Sequence, residues 1–442
     1  MANRRSGGPL NLPVLVLVVS FAVLLLLNVP VAFCMGIATM LAFVAMGGMP
    51  AFTAVAHNIA TGIDSFALLA IPFFILSGLF MGHGGIARRL IDFANVLVGR
   101  FPGGLAYVNV LTCMLFGAIS GSATAAVSSV GGFMIPLMNK MGYHRDFNAA
   151  VTVTAATTGL LIPPSNVMIV YSLATGGFVS IAAIFMAGYL PGLLVGLSLL
   201  IVSGIVSIRN RYGKGETFPL GESVVRFLRA IPAMLMVVIV IGGILLGWFT
   251  PTEASAVAVL YSFILAVVVY REVKLGDLPN ILLQCGIMTS VVFLLIGTSM
   301  AMSWVLASGN VPQDISAALA SRTDNKAVLL LMMNAILLVV GCFMDMTPAV
   351  LIFTPIFLPI AERLGVHPLH LGIIMIMNLC IGLCTPPVGT CLFLGCGIAE
   401  TTVTKVIRPI LPFFLAMIAT LLLCTFIPGI SLWLPEKLGF LK

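Results

Sequence analysis

The sequence has 442 residues, of which 60% are hydrophobic and only 8% charged, and its formal net charge at pH 7 is +7. A soluble domain carries charge on about a quarter of its residues, so this composition excludes an ordinary soluble protein and indicates a polytopic membrane protein. The positive charge does not indicate nucleic-acid binding, because the Lys and Arg residues lie in short loops between apolar runs, where they orient a membrane protein.

In chain order, apolar runs recur that approach the roughly 20 residues a helix needs to cross a bilayer. They cover residues 13–27, 31–46, 68–81, 179–208, 231–248, 254–270, 281–306 and 409–428. The first run follows a basic start, as in a signal peptide. No small-residue cleavage site follows Leu27, so we interpret this run as a helix that is not removed.

The segment at about 101–140 contains GAISGSATAAVSSVGG, which is too rich in glycine and serine for a single span. We predict a re-entrant helical hairpin there, and a second at about 326–363 with FMDMTPAV at its tip. Irregular backbone is tolerated at membrane depth only where it is buried in protein or lines a cavity. Both tips are therefore expected to meet near the membrane midplane.

Each hairpin is followed by an apolar segment that contains two adjacent prolines. Proline lacks an N–H and collides with the preceding turn, so it breaks a helix. The predicted broken helices cover about 147–177, with the break at Pro163 and Pro164, and about 369–399, with the break at Pro386 and Pro387.

The double prolines recur 223 residues apart, and the same offset relates Gly159 to Gly382, Gly142 to Gly365 and Pro136 to Pro359. This predicts two repeats, at 9–208 and 231–430, joined by a basic cytoplasmic linker at 209–230. Five crossings in each repeat would turn the second copy upside down, which is the inverted-repeat plan of secondary transporters. The predicted fold is thus an all-α membrane protein, with both termini outside because loop Lys and Arg residues favour the linker side.

The two helix breaks also predict which kinds of ligand the protein binds. They should release the carbonyls of Gly159 and Leu160 in the first repeat and those of Gly382 and Leu383 in the second, which suits a hard cation such as Na⁺. The next half-helices should begin at Ser165–Asn166 and Val388–Gly389, and their exposed N–H groups suit a carboxylate.

The hairpin tips add hydroxyl groups and a carboxylate. The first tip supplies Ser120, Gly121, Ser122 and Thr124, and the second supplies Asp345 and Thr347. An acidic residue inside a membrane is a functional candidate by default. The alternative is that Asp345 caps a helix at the outer surface.

Four stretches resemble a known family. They are FALLAIPFFILSGLFM at 66–81, GLLIPPSN at 159–166, GWFTPTEASA at 247–256, and the segment from MDMTPAV to GTCLFL at 344–394. The chain resembles the large membrane subunit of tripartite ATP-independent periplasmic (TRAP) transporters over nearly its whole length. Glu253 in the third stretch is also expected to belong to a capping box that opens a helix from Thr250 or Thr252, and the alternative is a direct contact with the substrate.

The resemblance implies a Na⁺-driven, elevator-type importer of organic acids, of the C4-dicarboxylate or sugar-acid type, in a bacterial inner membrane. It implies a mobile domain of two hairpins and two broken helices, a scaffold made of the other helices, a small four-helix membrane subunit and a periplasmic binding protein. At Ala126 some sialic-acid-type members carry an acidic residue, so the first tip is nearer to the C4-dicarboxylate pattern. The residues carried over to the first Na⁺ site are Ser120, Gly121, Ser122, Gly159 and Asn166. Those carried over to the second Na⁺ site are Asp345, Thr347, Gly382, Thr385 and Gly389. The substrate-binding set is Ser165, Asn166, Val388, Gly389, Ser122 and Thr124.

Several alternatives stay open. One alternative is a stand-alone ion-coupled carboxylate carrier of the same superfamily, which would need no binding protein. Another is a passive channel, which is disfavoured because a channel would not need two matched ion pockets. An intramembrane enzyme would need a nucleophile and base or a metal-ligand set, and we expect no histidine near the tips. The cysteines after His367 and His370 lack CxxC spacing and are interpreted as reduced packing residues rather than metal ligands.

Overall fold

A computed structural model describes residues 12–27, 29–46, 51–213, 219–311, 313–314, 325–386 and 388–441. Throughout these residues the regular structure is helical. The first five helices are α1 (Leu12–Leu26), α2 (Val31–Ala45), α3 (Ala51–Ile63), α4 (Ala70–His83, preceded by a 3₁₀ turn at Phe66–Leu69) and α5 (Ile86–Val98).

The middle of the chain contains the first predicted hairpin and the first broken helix. Its first three helices are α6 (Gly104–Ser120), α7 (Ala123–Ala126) and α8 (Gly132–Lys140), and a π turn at Val127–Gly131 joins α7 to α8. They are followed by α9 (Arg145–Thr158), α10 (Asn166–Ala174) and α11 (Ile181–Arg209). The chain therefore reverses between α6 and α7, as the glycine- and serine-rich stretch predicts.

From the predicted hairpin to the helix after the break, the second half has the same order of elements as the first. Its helices are α12 (Leu220–Leu245), α13 (Pro251–Phe263, extended by a π turn at Ile264–Val269), α14 (Leu278–Ser308, preceded by a 3₁₀ turn at Leu275–Asp277), α15 (Lys326–Phe343), α16 (Met346–Arg363), α17 (Pro368–Gly382), α18 (Thr390–Ala399), α19 (Val403–Phe426) and α20 (Gly429–Lys437).

Within the described part of the chain, eight helical stretches are long and apolar enough to cross a membrane. They include α4, α11, α12, α13, α14 and α19, which match six of the apolar runs in the sequence. They also include α15 and α16, so both helices of the second predicted hairpin have spanning length. The capping box at the start of α13 is confirmed, because Thr250 Oγ accepts from the Glu253 N–H at 3.3 Å and the Glu253 carboxylate accepts from the Thr250 N–H at 2.8 Å.

Packing divides the helices into two groups. Helices α1 to α4 pack with α13 and α14, whereas α6, α9, α17, α18 and α19 pack around α11 or each other. Both α11 and α19 also pack against the broken helix α9.

The amphipathic helix α5 connects the two groups, and it is not one of the apolar runs because Arg88, Arg89 and Asp92 interrupt its sequence. It packs against α6 on one side and α12 on the other. The Arg89 guanidinium lies 3.7 Å from the centre of the Tyr270 ring, and Arg226 lies 2.8 Å from the Asp92 carboxylate. These contacts fix α5 to α12 and α13.

Candidate functional site

The first break lies where the prolines predict it. Helix α9 ends at Thr158, and tight turns follow in which the N–H of Leu160 donates to the Thr157 carbonyl at 3.1 Å. Pro163 and Pro164 lie within the buried non-helical stretch. The next half-helix begins at Asn166 with Ser165 as its N-cap, so the predicted start is confirmed.

The second break has different hydrogen bonding from the prediction. It runs from the end of α17 at Gly382 to the N-cap Gly389, and it contains Pro386, whereas Pro387 lies outside the described residues. The Gly382 carbonyl is not left free, because it accepts from the Thr385 N–H at 2.9 Å. The Thr385 hydroxyl donates to the Ile381 carbonyl at 2.7 Å.

The N–H groups expected to face a carboxylate at this second break are also occupied. The Val388 N–H donates to the Cys342 carbonyl, and the Gly389 N–H donates to the Thr385 carbonyl, each at 3.1 Å. The prediction that Val388 and Gly389 expose free N–H groups is therefore wrong. The first bond ties the end of α15 to the break between α17 and α18, and the second lies within the break.

The first hairpin turns at Gly121, whose φ of 61° lies in the left-handed region that favours glycine. Ser122 caps α7 by accepting from the Ala125 N–H at 3.3 Å, and its hydroxyl lies 3.1 Å from that of Thr124. The tip is therefore fixed by its own side chains.

The second hairpin turns through Met344 and Asp345. Asp345 occupies the N-cap position of α16, but its carboxylate makes no capping hydrogen bond. The side chain is exposed and lines a cavity between the helices. Both the capping position and the cavity are thus compatible with the two roles predicted for this carboxylate.

Each tip packs against its own break through glycine. A methyl group on Gly117 would lie 2.5 Å from the Gly159 Cα, and one on Gly382 would lie 2.5 Å from the Gly341 carbonyl carbon. A methyl group on Gly121 would lie 3.3 Å from the Pro164 carbonyl oxygen. Glycine is needed here because the two backbones approach closely.

Buried asparagines add a second connection between each hairpin and its broken helix. Asn109 on α6 donates to the Thr152 hydroxyl on α9 at 2.6 Å. Asn378 on α17 donates to the amide oxygen of Asn334 on α15 at 2.9 Å, and Asn334 donates to the Thr425 hydroxyl at 3.0 Å. Such buried polar bonds hold the packing in one register because breaking them would leave unsatisfied groups.

A cavity of about 670 Å³ joins both tips to the first break and to helices α4 and α14. It brings together seven of the predicted site residues: Ser120, Gly121, Ser122, Thr124, Asn166, Asp345 and Thr347. The other predicted residues, Gly159, Ser165, Gly382, Thr385, Val388 and Gly389, are not among those that line it.

Two polar atoms beside the first tip have no hydrogen-bond partner in the structure, namely Ser165 Oγ and Asn166 Oδ1. Buried polar atoms normally find partners, and of these two residues Asn166 lines the cavity. Among the described residues that line the cavity, Asp345 carries the only formal charge, and Lys and Arg are absent.

Sequence reasoning missed four polar residues of the cavity wall, His83, Ser128, Ser129 and Gln284. The expectation that no histidine lies near the tips is wrong, because α4 packs alongside the first hairpin and places His83 in the same cavity. The serines lie in the same stretch as the predicted tip, and that proximity was the available signal.

The arrangement of helices resembles that of one solved membrane transporter. A crystal structure of the YdaH transporter of Alcanivorax borkumensis superposes with a TM-score of 0.60, covering 88% of each chain at 15% sequence identity. At this identity the likeness shows the fold alone. The cavity between helix breaks, inside a multi-pass helical protein, agrees with that class.

Residues 18–430 match the family described as tripartite ATP-independent periplasmic transporter, DctM component, and the chain belongs to this family. It is 50% identical to the uncharacterized protein YgiK of Salmonella typhimurium over 96% of this chain and 97% of that protein. It is 44% identical to the C4-dicarboxylate TRAP transporter large permease protein DctM of Pseudomonas aeruginosa, over 85% and 88% of the two chains. It is 40% identical to the isethionate TRAP transporter permease protein DctMQ of Oleidesulfovibrio alaskensis, over 95% of this chain and 66% of that protein. The protein is thus a transport permease and not an enzyme.

Proposed function

We propose that this permease is the transport subunit of a Na⁺-coupled importer of organic acids, of the C4-dicarboxylate or sugar-acid type. The observation that carries the proposal is the charge of the cavity, whose described lining contains the Asp345 carboxylate and no Lys or Arg. A carboxylate substrate would add a second negative charge to this cavity. Like charges that share one site repel each other, and a cation that enters with the substrate offsets this repulsion.

The first cation site consists of oxygen atoms at the first tip and break. The Ser120 hydroxyl, the Pro164 carbonyl and the unpartnered Asn166 Oδ1 supply neutral oxygens. Such oxygens suit a hard cation that carries a single charge. Gly121 lets the tip backbone approach the break closely enough for both to contact one ion.

The second cation site consists of Asp345 and Thr347 at the other tip, together with Thr385 and the backbone near Gly382 at the second break. The carboxylate contributes the charge and the hydroxyls contribute neutral ligands. Binding of Na⁺ there removes the repulsion between Asp345 and a substrate carboxylate. The substrate anion then lies against the N–H groups at the starts of α7 and α10, which favour negative charge.

Transport proceeds by an elevator movement of the hairpins, the broken helices, α11 and α19 against α1 to α4 and α12 to α14. Both hairpins are re-entrant, and the repeats at 9–208 and 231–430 are inverted. The recurrence of the glycine contact at Gly117–Gly159 and Gly341–Gly382 supports the repeat. The moving surface includes Ser120 beside Gly78, where a methyl group would lie 2.8 Å from the Ser120 carbonyl oxygen.

The partners follow from the family. We propose a separate or fused small four-helix membrane subunit and a periplasmic binding protein that delivers the acid, in a bacterial inner membrane. The relatives named for C4-dicarboxylate and isethionate transport support a small organic acid as the substrate. A stand-alone carrier is the alternative, and it predicts uptake by this chain without a binding protein.

Asp345→Asn tests the proposal, with the exposed Glu436→Gln as a matched control. A hydrogen bond or ligand contact from a charged group contributes about 1.5–3 kcal/mol, so Na⁺-dependent uptake should fall roughly tenfold or more. Both variants should reach the membrane in wild-type amounts. An unchanged Na⁺ dependence in a well-expressed Asp345→Asn protein would remove this residue from the ion site.

A further inference from the structure

A narrow apolar cleft opens on the lateral surface of the helix bundle, between α4, α13 and α14. Its volume is about 330 Å³, and every described residue that lines it is apolar. This lateral cleft is defined by Phe73 and Phe80 of α4, Leu260 and Phe263 of α13, and Leu278 and Leu282 of α14. It is separate from the transport cavity, with which it shares no described lining residue.

The lateral cleft exists because α13 and α14 diverge. A short loop joins these two helices and both pack along α4, but they do not pack along each other. Next to the loop the gap is closed, since Phe263 and Leu278 belong to one apolar cluster with Phe80, whose ring centre lies 5.5 Å from that of Phe263. One turn further from the loop, Leu260 and Leu282 are 62% and 54% exposed. The cleft is therefore closed at the loop and open toward the membrane.

The size of the lateral cleft decides what can fill it. From Phe73 to Phe80 it runs along about two turns of α4, which is about 11 Å. A helix about 10 Å wide and two turns long occupies roughly 850 Å³, more than twice the volume of this cleft. A lipid acyl chain is a single row of methylene groups and fits the space, where it gains packing contacts with the apolar walls.

Cationic side chains lie at the closed end of the cleft, on the loop between α13 and α14. Arg271 and Lys274 are exposed, and within the described part of the chain neither is in an ion pair. Two carboxylates lie on the same loop. Glu272 is 3.6 Å from the Arg89 guanidinium, and the Asp277 carboxylate accepts from the Lys274 N–H at 2.9 Å. Three cations and two carboxylates leave a net charge of +1, which attracts an anionic headgroup.

We propose that the lateral cleft binds an anionic glycerophospholipid of the bilayer, with an acyl chain in the cleft and the phosphate at Arg271 and Lys274. The predicted topology places this loop on the cytoplasmic side with the linker, where anionic lipids are recruited by Lys and Arg. Helices α4 and α14 line the transport cavity through other residues, such as Leu79 and Gln284. The lipid thus supports the two helices that form one wall of that cavity.

The test is native mass spectrometry of the complete membrane complex, released from nanodiscs that contain equal amounts of phosphatidylglycerol and phosphatidylcholine. We expect a retained phospholipid, with phosphatidylglycerol favoured about fivefold, because one net positive charge near the membrane surface has an effect of this size. Equal retention of the two lipids by the wild-type protein would overturn the proposal.

Two variants separate the headgroup contact from the acyl-chain contact. Arg271→Ala combined with Lys274→Ala should abolish the preference for phosphatidylglycerol, whereas Ala256→Phe, which fills the cleft, should lower retention of both lipids. The matched control is Lys405→Ala combined with Arg408→Ala, because these exposed cations lie at the start of α19 and away from the cleft. Lipid retention equal to that of the control in both cleft variants would refute the site.

A photo-cross-linking residue in place of Leu260 identifies the occupant directly, because this position is exposed at the open side of the cleft. We expect it to react with phospholipid in the assembled complex. A cross-link to the small membrane subunit would show that a protein covers the cleft, and it would overturn the proposal.

Discussion

Alanine in place of Gly117 is expected to separate the first hairpin from the first broken helix. The added methyl group would lie 2.5 Å from the Gly159 Cα, a backbone atom that cannot rotate away. Forced overpacking costs typically 1–3 kcal/mol, and alanine recovers up to about 1 kcal/mol of helix propensity, so we expect a net loss of about 1–2 kcal/mol. The backbone shift should also displace Ser120, three residues further along α6, and lower the Na⁺ affinity.

The matched control is Gly132→Ala, because Gly132 is also helical and nothing lies within 4 Å of a methyl group there. That variant should be as stable as the wild type or slightly more stable. The assay is unfolding of the purified protein in mixed detergent, followed by circular dichroism, with Na⁺ titration of the folded protein. If Gly117→Ala unfolds at the same midpoint as Gly132→Ala, the two helices are not in contact as described.

Two further predictions concern stability. Thr250→Ala removes the capping box of α13 and should lower the free energy of unfolding by about 0.5–2 kcal/mol. Thr402→Ala should cost less, because Thr402 is an N-cap that makes no side-chain hydrogen bond. Equal losses would contradict the capping assignment. Asn334→Leu removes one of the two acceptors of the Asn378 amide and the donor to the Thr425 hydroxyl, and it should destabilise by about 1–3 kcal/mol. An unfolding midpoint equal to that of the wild type in the same assay would contradict this contact.

Much of the architecture was predictable because its signals are local. Paired prolines interrupt a helix wherever they occur, so both breaks lie where the sequence predicts them. The start of α10 at Ser165–Asn166 and the capping box of α13 are also local patterns that the structure confirms. The first tip was predictable because glycine and serine cannot continue an apolar span.

What the sequence did not predict depends on tertiary partners. The Val388 N–H was expected to face a ligand, but Cys342 from the neighbouring hairpin accepts its hydrogen bond. His83 was overlooked because it is close to the first tip in space and not in sequence. Neither periodicity nor spacing reports which helix packs beside a break. The Na⁺ sites, the inverted repeats and the elevator movement stay predictions for the same reason.

The central claim is that Na⁺ accompanies the acid into a cavity that carries no positive side chain in its described lining. It is tested most directly by uptake in proteoliposomes that contain this chain and its small membrane subunit, with an acid-loaded binding protein outside. The account predicts accumulation only with an inward Na⁺ gradient, and none when Na⁺ is replaced by K⁺. Equal uptake with no Na⁺ gradient would contradict it.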